Sequence, residues 1–307
     1  MIKKYSKFLE DINSSNTDVN VEKAKKLIST DQRDLKTFLQ EFGELAKDKK
    51  VQSFLKSAGS DDSFTFKSAH VQANKLFPSQ NQIGVDKSLN DIIKETYNLE
   101  KQSKELSALL KGDKVEMGVK GGTAPICCAY APSKDGQDER FWVIDGHHRW
   151  SKAFMANPNA ELSCVVFDAK EDIDIIQVLK AFHLVNFAHQ ETGYSSPTKP
   201  LEGENLMEVN KELVRKHILE NLDDKISKVW IDNVDTINTK EEIDDHIMKA
   251  VDDIQKMKTE GPDKIGSDTS RTNMPQTGTV GVDKIANDLQ NSKINVVESF
   301  NTFTSKK

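Results

Sequence analysis

A chain of 307 residues suffices for one or two domains, and 36% hydrophobic against 30% charged residues favours a modest core with polar helices over one large core. The net charge of −6, with Lys and Arg spread along the chain, gives no basic stripe of the kind that non-specific nucleic-acid binding uses. The three cysteines form no CxxC pair for zinc, no signal-peptide pattern is visible, and no apolar run approaches the about 20 residues that span a bilayer. The expectation is a cytoplasmic protein that does not engage a membrane.

In chain order, residues 1–57 read as a charged helical extension. Tyr5, Phe8, Leu9 and Ile12 share one helical face, and this opening turn suits a docking contact with a protein partner. Asp18 caps a segment with Val21, Ala24, Leu27 and Ile28. Asp31 caps another with Leu35, Phe38, Leu39 and Phe42, which Gly43 is expected to interrupt.

Residues 61–170 change texture and read as a compact mixed α/β unit. Short strands are expected at 64–66 and 71–73, followed by a loop through Leu76-Phe77-Pro78-Ser79-Gln80. One helix is expected from Ser88 through Leu89, Ile92, Ile93, Leu99, Leu106, Leu109 and Leu110 to its stop at Gly112. Strands follow at 124–130, 140–144 and 162–167, with a helix over 147–155 between the last two. Cys127, Cys128 and Cys164 lie in apolar runs and read as packing residues.

Residues 171–258 turn helical again, with Ile173, Ile176, Leu179, Phe182 and Val185 on one face and helices expected over 204–222 and 240–257. Thr239 and Glu242 form a capping box at the start of the last. Residues 259–307 read as a Gly-, Thr- and Ser-rich flexible linker and tail.

Most of the chemical information lies in Phe141-Trp142-Val143-Ile144-Asp145-Gly146-His147-His148-Arg149-Trp150. It reads as a buried strand, a glycine turn and a helix start, with Trp142 and Trp150 as core residues. A helix start presents unpaired backbone N–H groups and the positive end of the macrodipole. Two histidines and an arginine added there point to a phosphate or another anion. The two histidines are adjacent and face different directions, so at most one meets such a ligand. With no i, i+4 histidine pair, a metal held by the protein alone is not expected.

The order of the pieces resembles the ParB/sulfiredoxin superfamily over residues 64–170. The pieces are an early strand, Pro78-Ser79-Gln80, a helix, Ala124-Pro125-Ile126 opening a strand, and Asp145-Gly146-His147-His148-Arg149 opening a helix. The resemblance implies a small α/β (α+β) mixed-sheet domain, here with α-helical N- and C-terminal extensions. It also implies a nucleotide-binding site. Gly146 gives the turn, His148 and Arg149 face the phosphates, and Pro78, Ser79 and Gln80 border the same pocket. Asn186 and His189 lie on a following segment that reaches the nucleotide in this family. Asp145 corresponds to the acidic residue that orients a hydroxyl acceptor or metal in the serine-phosphorylating relatives.

Three departures from the family narrow the activity. His147 stands where sulfiredoxins carry their cysteine. The loop lacks the glutamate of chromosome-segregating ParB proteins. Gln80 and Gln82 replace the glutamate base of the serine kinases, which leaves Asp86, Asp145 or His147 as candidate bases. The resulting expectation is an NTPase or small-molecule phosphotransferase using ATP or another nucleoside triphosphate with Mg2+, with Asp145 and His147 as catalytic residues. The alternatives are a DNA-associated, nuclease-like ParB-type protein and a non-catalytic packaged phage-type protein. If phage-encoded, the chain belongs to the host cytoplasm or the virion.

Overall fold

Apolar runs dictate the centre of the molecule, a mixed sheet with helices against it. The structure, a computed structural model, describes residues 18–30, 35–59, 66–115, 118–119, 122–123, 125–132, 139–168 and 201–260, together with Leu179, His183 and Arg271. The sheet strands are β1 (Phe66–Gln72), β2 (Leu76–Pro78), β3 (Lys114–Val115), β6 (Ile126–Pro132), β7 (Glu139–Asp145) and β8 (Glu161–Asp168). A separate two-stranded ribbon pairs β4 (Gly118–Val119) with β5 (Gly122–Thr123). The order is β1-β8-β6-β7-β2, and β3 also pairs with β8.

β8 runs antiparallel to β1 and parallel to β6, while β7 runs antiparallel to β6 and parallel to β2. The C-terminal ends of β2 and β7 therefore meet the start of β6 at one edge. Side chains alternate along each strand. Val143, Leu162, Cys164 and Val166 join the main core, whereas Trp142, Ile144 and Val165 are buried on the other face. The α/β class expected from the residues is what the structure shows.

Against the core face pack α4 (Val85–Ile93), α5 (Leu99–Lys111) and α6 (His147–Ala156), then α7 (Lys211–Asn221), α8 (Asp224–Asn233) and α9 (Lys240–Glu260). The single helix expected from Ser88 to Leu110 is two. Leu89, Ile92, Leu106 and Leu109 keep the apolar period, but the chain turns between Lys94 and Asn98. The buried Gln102 amide holds that turn. It donates to the carbonyls of Asp91 and Lys94, each at 2.7 Å, and accepts from the Thr96 N–H at 3.0 Å. Asn98 then caps α5 by accepting from the Lys101 N–H at 3.0 Å.

The helix expected over 204–222 starts at Lys211, capped by Asn210, because the backbone of Glu204 and Leu206 is engaged with Val85 and Ile83. A further helix, α8, follows the Asp223 cap, whose carboxylate accepts from the Ile226 N–H at 2.8 Å. The Thr239–Glu242 box forms as expected. Thr239 Oγ1 accepts from the Glu242 N–H at 3.2 Å, and Glu242 accepts from the Thr239 N–H at 3.1 Å.

Near the N-terminus, α1 (Val19–Thr30), α2 (Leu35–Leu45) and α3 (Lys49–Gly59) bury Val21, Ala24, Phe38, Phe42, Val51 and Leu55. These six lie outside the main core cluster. α2 runs through Gly43 without interruption, and the stacked rings of Phe38 and Phe42 lie 5.3 Å apart one turn before its end. The Tyr5–Ile12 face, Asp31 and the tail beyond 260, apart from Arg271, lie outside the described residues. Among the described residues no helix is long and apolar enough to cross a membrane.

Candidate functional site

β7 ends at Asp145, Gly146 turns the chain, and α6 begins at His147. Gly146 has φ +100°, and a Cβ there would stand 2.9 Å from Arg149 Nη2 and 3.2 Å from Ile126 Cγ1. Only glycine meets both demands at little cost. Lacking a side chain, Gly146 also leaves α6 without a side-chain cap.

The sheet register delivers the second half of the site. β2 runs beside β7 with Pro78 opposite Val143, so the chain leaves β2 next to the turn. Buried Ser79 donates its hydroxyl to the Val143 carbonyl and its N–H to His147 Nε2 at 3.3 Å. Gln80, also buried, donates to the Gln82 carbonyl at 2.6 Å. At the far end of this loop the Gly84 N–H donates to His148 Nε2 at 3.1 Å. Adjacent histidines thus grip the two ends of one loop, Ser79 to Gly84. An Nε2 that accepts a backbone N–H carries no proton, so both rings are neutral Nδ1–H tautomers. Neither offers its Nε2 lone pair to a ligand in this arrangement.

Electrostatics keep them neutral. Burial is the main cause of the low pKa of His147, aided by the repulsion that a protonated His148 would add and by the charges of Arg271 and Arg149, and opposed by its hydrogen bond to Val143. His148 is lowered to about 4, first by burial and then by Arg271, Lys87 and Arg149. Three permanent cations from three parts of the chain therefore lie near the start of one helix.

Arg149 donates through Nη2 to Asp145 Oδ2 at 3.2 Å and to the Pro125 carbonyl at 3.3 Å. Its Nε is buried with no partner among the described residues. Such a donor is costly to leave unmade.

The structure brings together Pro78, Ser79, Gln80, Asp145, Gly146, His147, His148 and Arg149. Asp86 instead turns toward His217 on α7, 3.6 Å from its Nε2. Asn186 and His189 lie outside the described residues. Trp142 and Trp150 are buried as expected, and Trp150 Nε1 donates to the Ala73 carbonyl at 2.9 Å. The cysteines are buried free thiols, and burial with Cys164 alongside pushes the Cys128 thiol well up. Among the described residues no group of three or more His, Cys, Asp or Glu side chains is placed to hold a metal ion.

Two residues here were not expected. Asn205 ties the loop to the C-terminal region. It accepts from the Ile83 N–H at 3.0 Å and donates to the Asn81 carbonyl at 2.9 Å, while the backbone of 204–206 bonds Ile83 and Val85. Arg271 comes from a stretch whose Gly, Ser and Asp content signals a linker. Neither has a local sequence signal, because both act through contacts far along the chain. No family model, curated protein or solved structure matches this chain.

Proposed function

We propose that the chain binds the phosphates of a nucleoside triphosphate at the start of α6 and hydrolyses the nucleotide or transfers its phosphoryl group. The observation that carries this reading is the convergence of Arg149, Arg271 and Lys87 on a helix start without a side-chain cap, with the Arg149 Nε buried and unpaired among the described residues. An oxyanion answers all three needs at once: the helix amides, the macrodipole and the guanidinium. The likeness to the ParB/sulfiredoxin loop pattern supports the nucleotide as its source.

In this reading Arg149 and the first amides of α6 hold phosphate. Asp145 holds the Arg149 guanidinium in place and orients a hydroxyl acceptor or magnesium. Magnesium suits the site because it travels with the phosphates and keeps several waters, so one carboxylate is enough. His147 and His148 act on the site through the loop they hold. Phosphoryl transfer asks mainly for positioning and charge neutralisation, which this arrangement supplies.

The test is calorimetric titration of ATP, ADP, CTP and GTP with magnesium into the wild type and Arg149→Ala. A hydrogen bond to a charged group contributes about 1.5–3 kcal/mol, so the variant is expected to bind roughly 10–100-fold more weakly. Wild-type affinity in a folded Arg149→Ala protein would overturn the reading.

A further inference from the structure

A cleft opens between the first turn of α4 and one side of α7. It encloses about 220 Å³, with Val85, Val209, Leu213 and Val214 as its apolar lining. The three valines are buried and make a firm floor, while Leu213 is 49% exposed and leaves apolar surface open at the mouth. Ordinary ligand sites measure roughly 300–1,000 Å³, so this one suits a small ligand.

The charges around the floor are unbalanced. The rim carries Asp86 in the first turn of α4, Glu204 on the segment beside it, and Lys216 and Glu220 on α7. Lys216 Nζ lies 3.8 Å from Glu220, so these two offset each other. Among the described residues neither Asp86 nor Glu204 is ion-paired with a lysine or arginine. Asp86 faces only His217, whose Nε2 is 3.6 Å away and also lies 3.1 Å from Asn90 Oδ1. The two carboxylates stand on neighbouring backbone, because the Val85 N–H donates to the Glu204 carbonyl at 3.1 Å.

We propose that this cleft binds a small aliphatic ammonium, with its hydrocarbon chain on the valine and leucine floor and its cation beside Asp86 and Glu204. This goes beyond phosphate binding and does not depend on it.

The lining selects the class. A primary alkylamine is protonated at neutral pH, as lysine is. Its methylenes leave water for the apolar floor, which supplies affinity, and the carboxylates select for a cation. An anion meets two uncompensated negative charges, and an uncharged hydrocarbon gives them no partner. A hard divalent cation takes about six or more oxygen ligands and gains nothing from an apolar floor. Among the described residues no group of three or more His, Cys, Asp or Glu side chains is placed to hold one.

The test is titration of pentylammonium chloride into the isotopically labelled full chain while following backbone amide resonances. Methylammonium chloride, which lacks the chain, and 1-pentanol, which lacks the charge, are the comparison probes. Saturable shifts are expected at Val85, Asp86, Val209, Leu213 and His217, with affinity falling as salt is raised. Both comparison probes are expected to bind at least roughly fivefold more weakly. The Asp86→Asn, Glu204→Gln double variant keeps the side-chain shapes and removes both charges. It is expected to bind pentylammonium roughly tenfold more weakly, while the amides of β8 and α9 keep their positions. The probe comparison uses the wild type and so decides the matter whatever the variant does to the fold. No saturable shift, shifts confined to other elements, equal affinity for 1-pentanol, or unchanged affinity in the double variant would each overturn the proposal.

Discussion

Trp150→Ala is expected to lower the free energy of unfolding by about 3–5 kcal/mol, a large part of the roughly 5–15 kcal/mol that holds a domain folded. Trp150 lies on α6, is fully buried, and packs against Phe154 with ring centroids 5.8 Å apart. Its indole N–H also donates to the Ala73 carbonyl, which the Leu76 N–H bonds as well, so removal opens a cavity and deletes one of the two bonds to that acceptor. Trp150→Phe refills most of the volume and loses only the indole hydrogen bond, and a loss of about 0.5–1.5 kcal/mol is expected from it. Denaturant unfolding followed by far-ultraviolet circular dichroism measures both. A loss below about 1 kcal/mol for Trp150→Ala would mean that α6 is not anchored as described.

Gly146→Ala is expected to damage both fold and site. At φ +100° an alanine is strained by about 1–3 kcal/mol. Its Cβ would also lie 2.9 Å from the Arg149 guanidinium, so either the arginine or the turn must shift. Arg149 is the side chain that joins Asp145, the Pro125 carbonyl and the proposed phosphate. The variant should therefore lose nucleotide affinity along with stability. Gly203→Ala separates the two effects. Gly203 has φ +86°, but nothing lies within 4 Å of its added Cβ, so that variant carries backbone strain without the contact. The expected outcome is comparable strain in both proteins and lost binding in Gly146→Ala alone. Intact binding in Gly146→Ala would contradict the placement of Arg149 in the site.

The parts of the fold that were legible in the sequence are those with local causes. The run from Phe141 to Trp150 starts with four consecutive apolar residues, breaks at a glycine and resumes as a helix, and strand, turn and helix appear in the structure in that order. The Thr239–Glu242 box is likewise contained within four residues.

Where side chains reached across the chain, periodicity misled. The apolar period from Leu89 to Leu110 continues through a turn that Gln102 stabilises from the following helix. The helix expected from residue 204 is displaced because Glu204 and Leu206 pair with Val85 and Ile83 instead. The same limit applies at the candidate site. The Asp145–Arg149 cluster is local and was visible. The grip of its histidines on Ser79 and Gly84 depends on β2 lying parallel to β7, a pairing across about 65 residues that no local pattern encodes. Arg271 is more distant still.

The central claim is that the start of α6 is a phosphate site. It is tested most directly by titrating magnesium-ATP, and then the other nucleoside triphosphates, into the isotopically labelled chain while following backbone amide resonances. The account predicts that for at least one of them the amides of Gly146, His147, His148 and Arg149 shift first and furthest, with Ser79 and Gly84 following. Shifts confined to other elements, or none with any nucleotide, would contradict it.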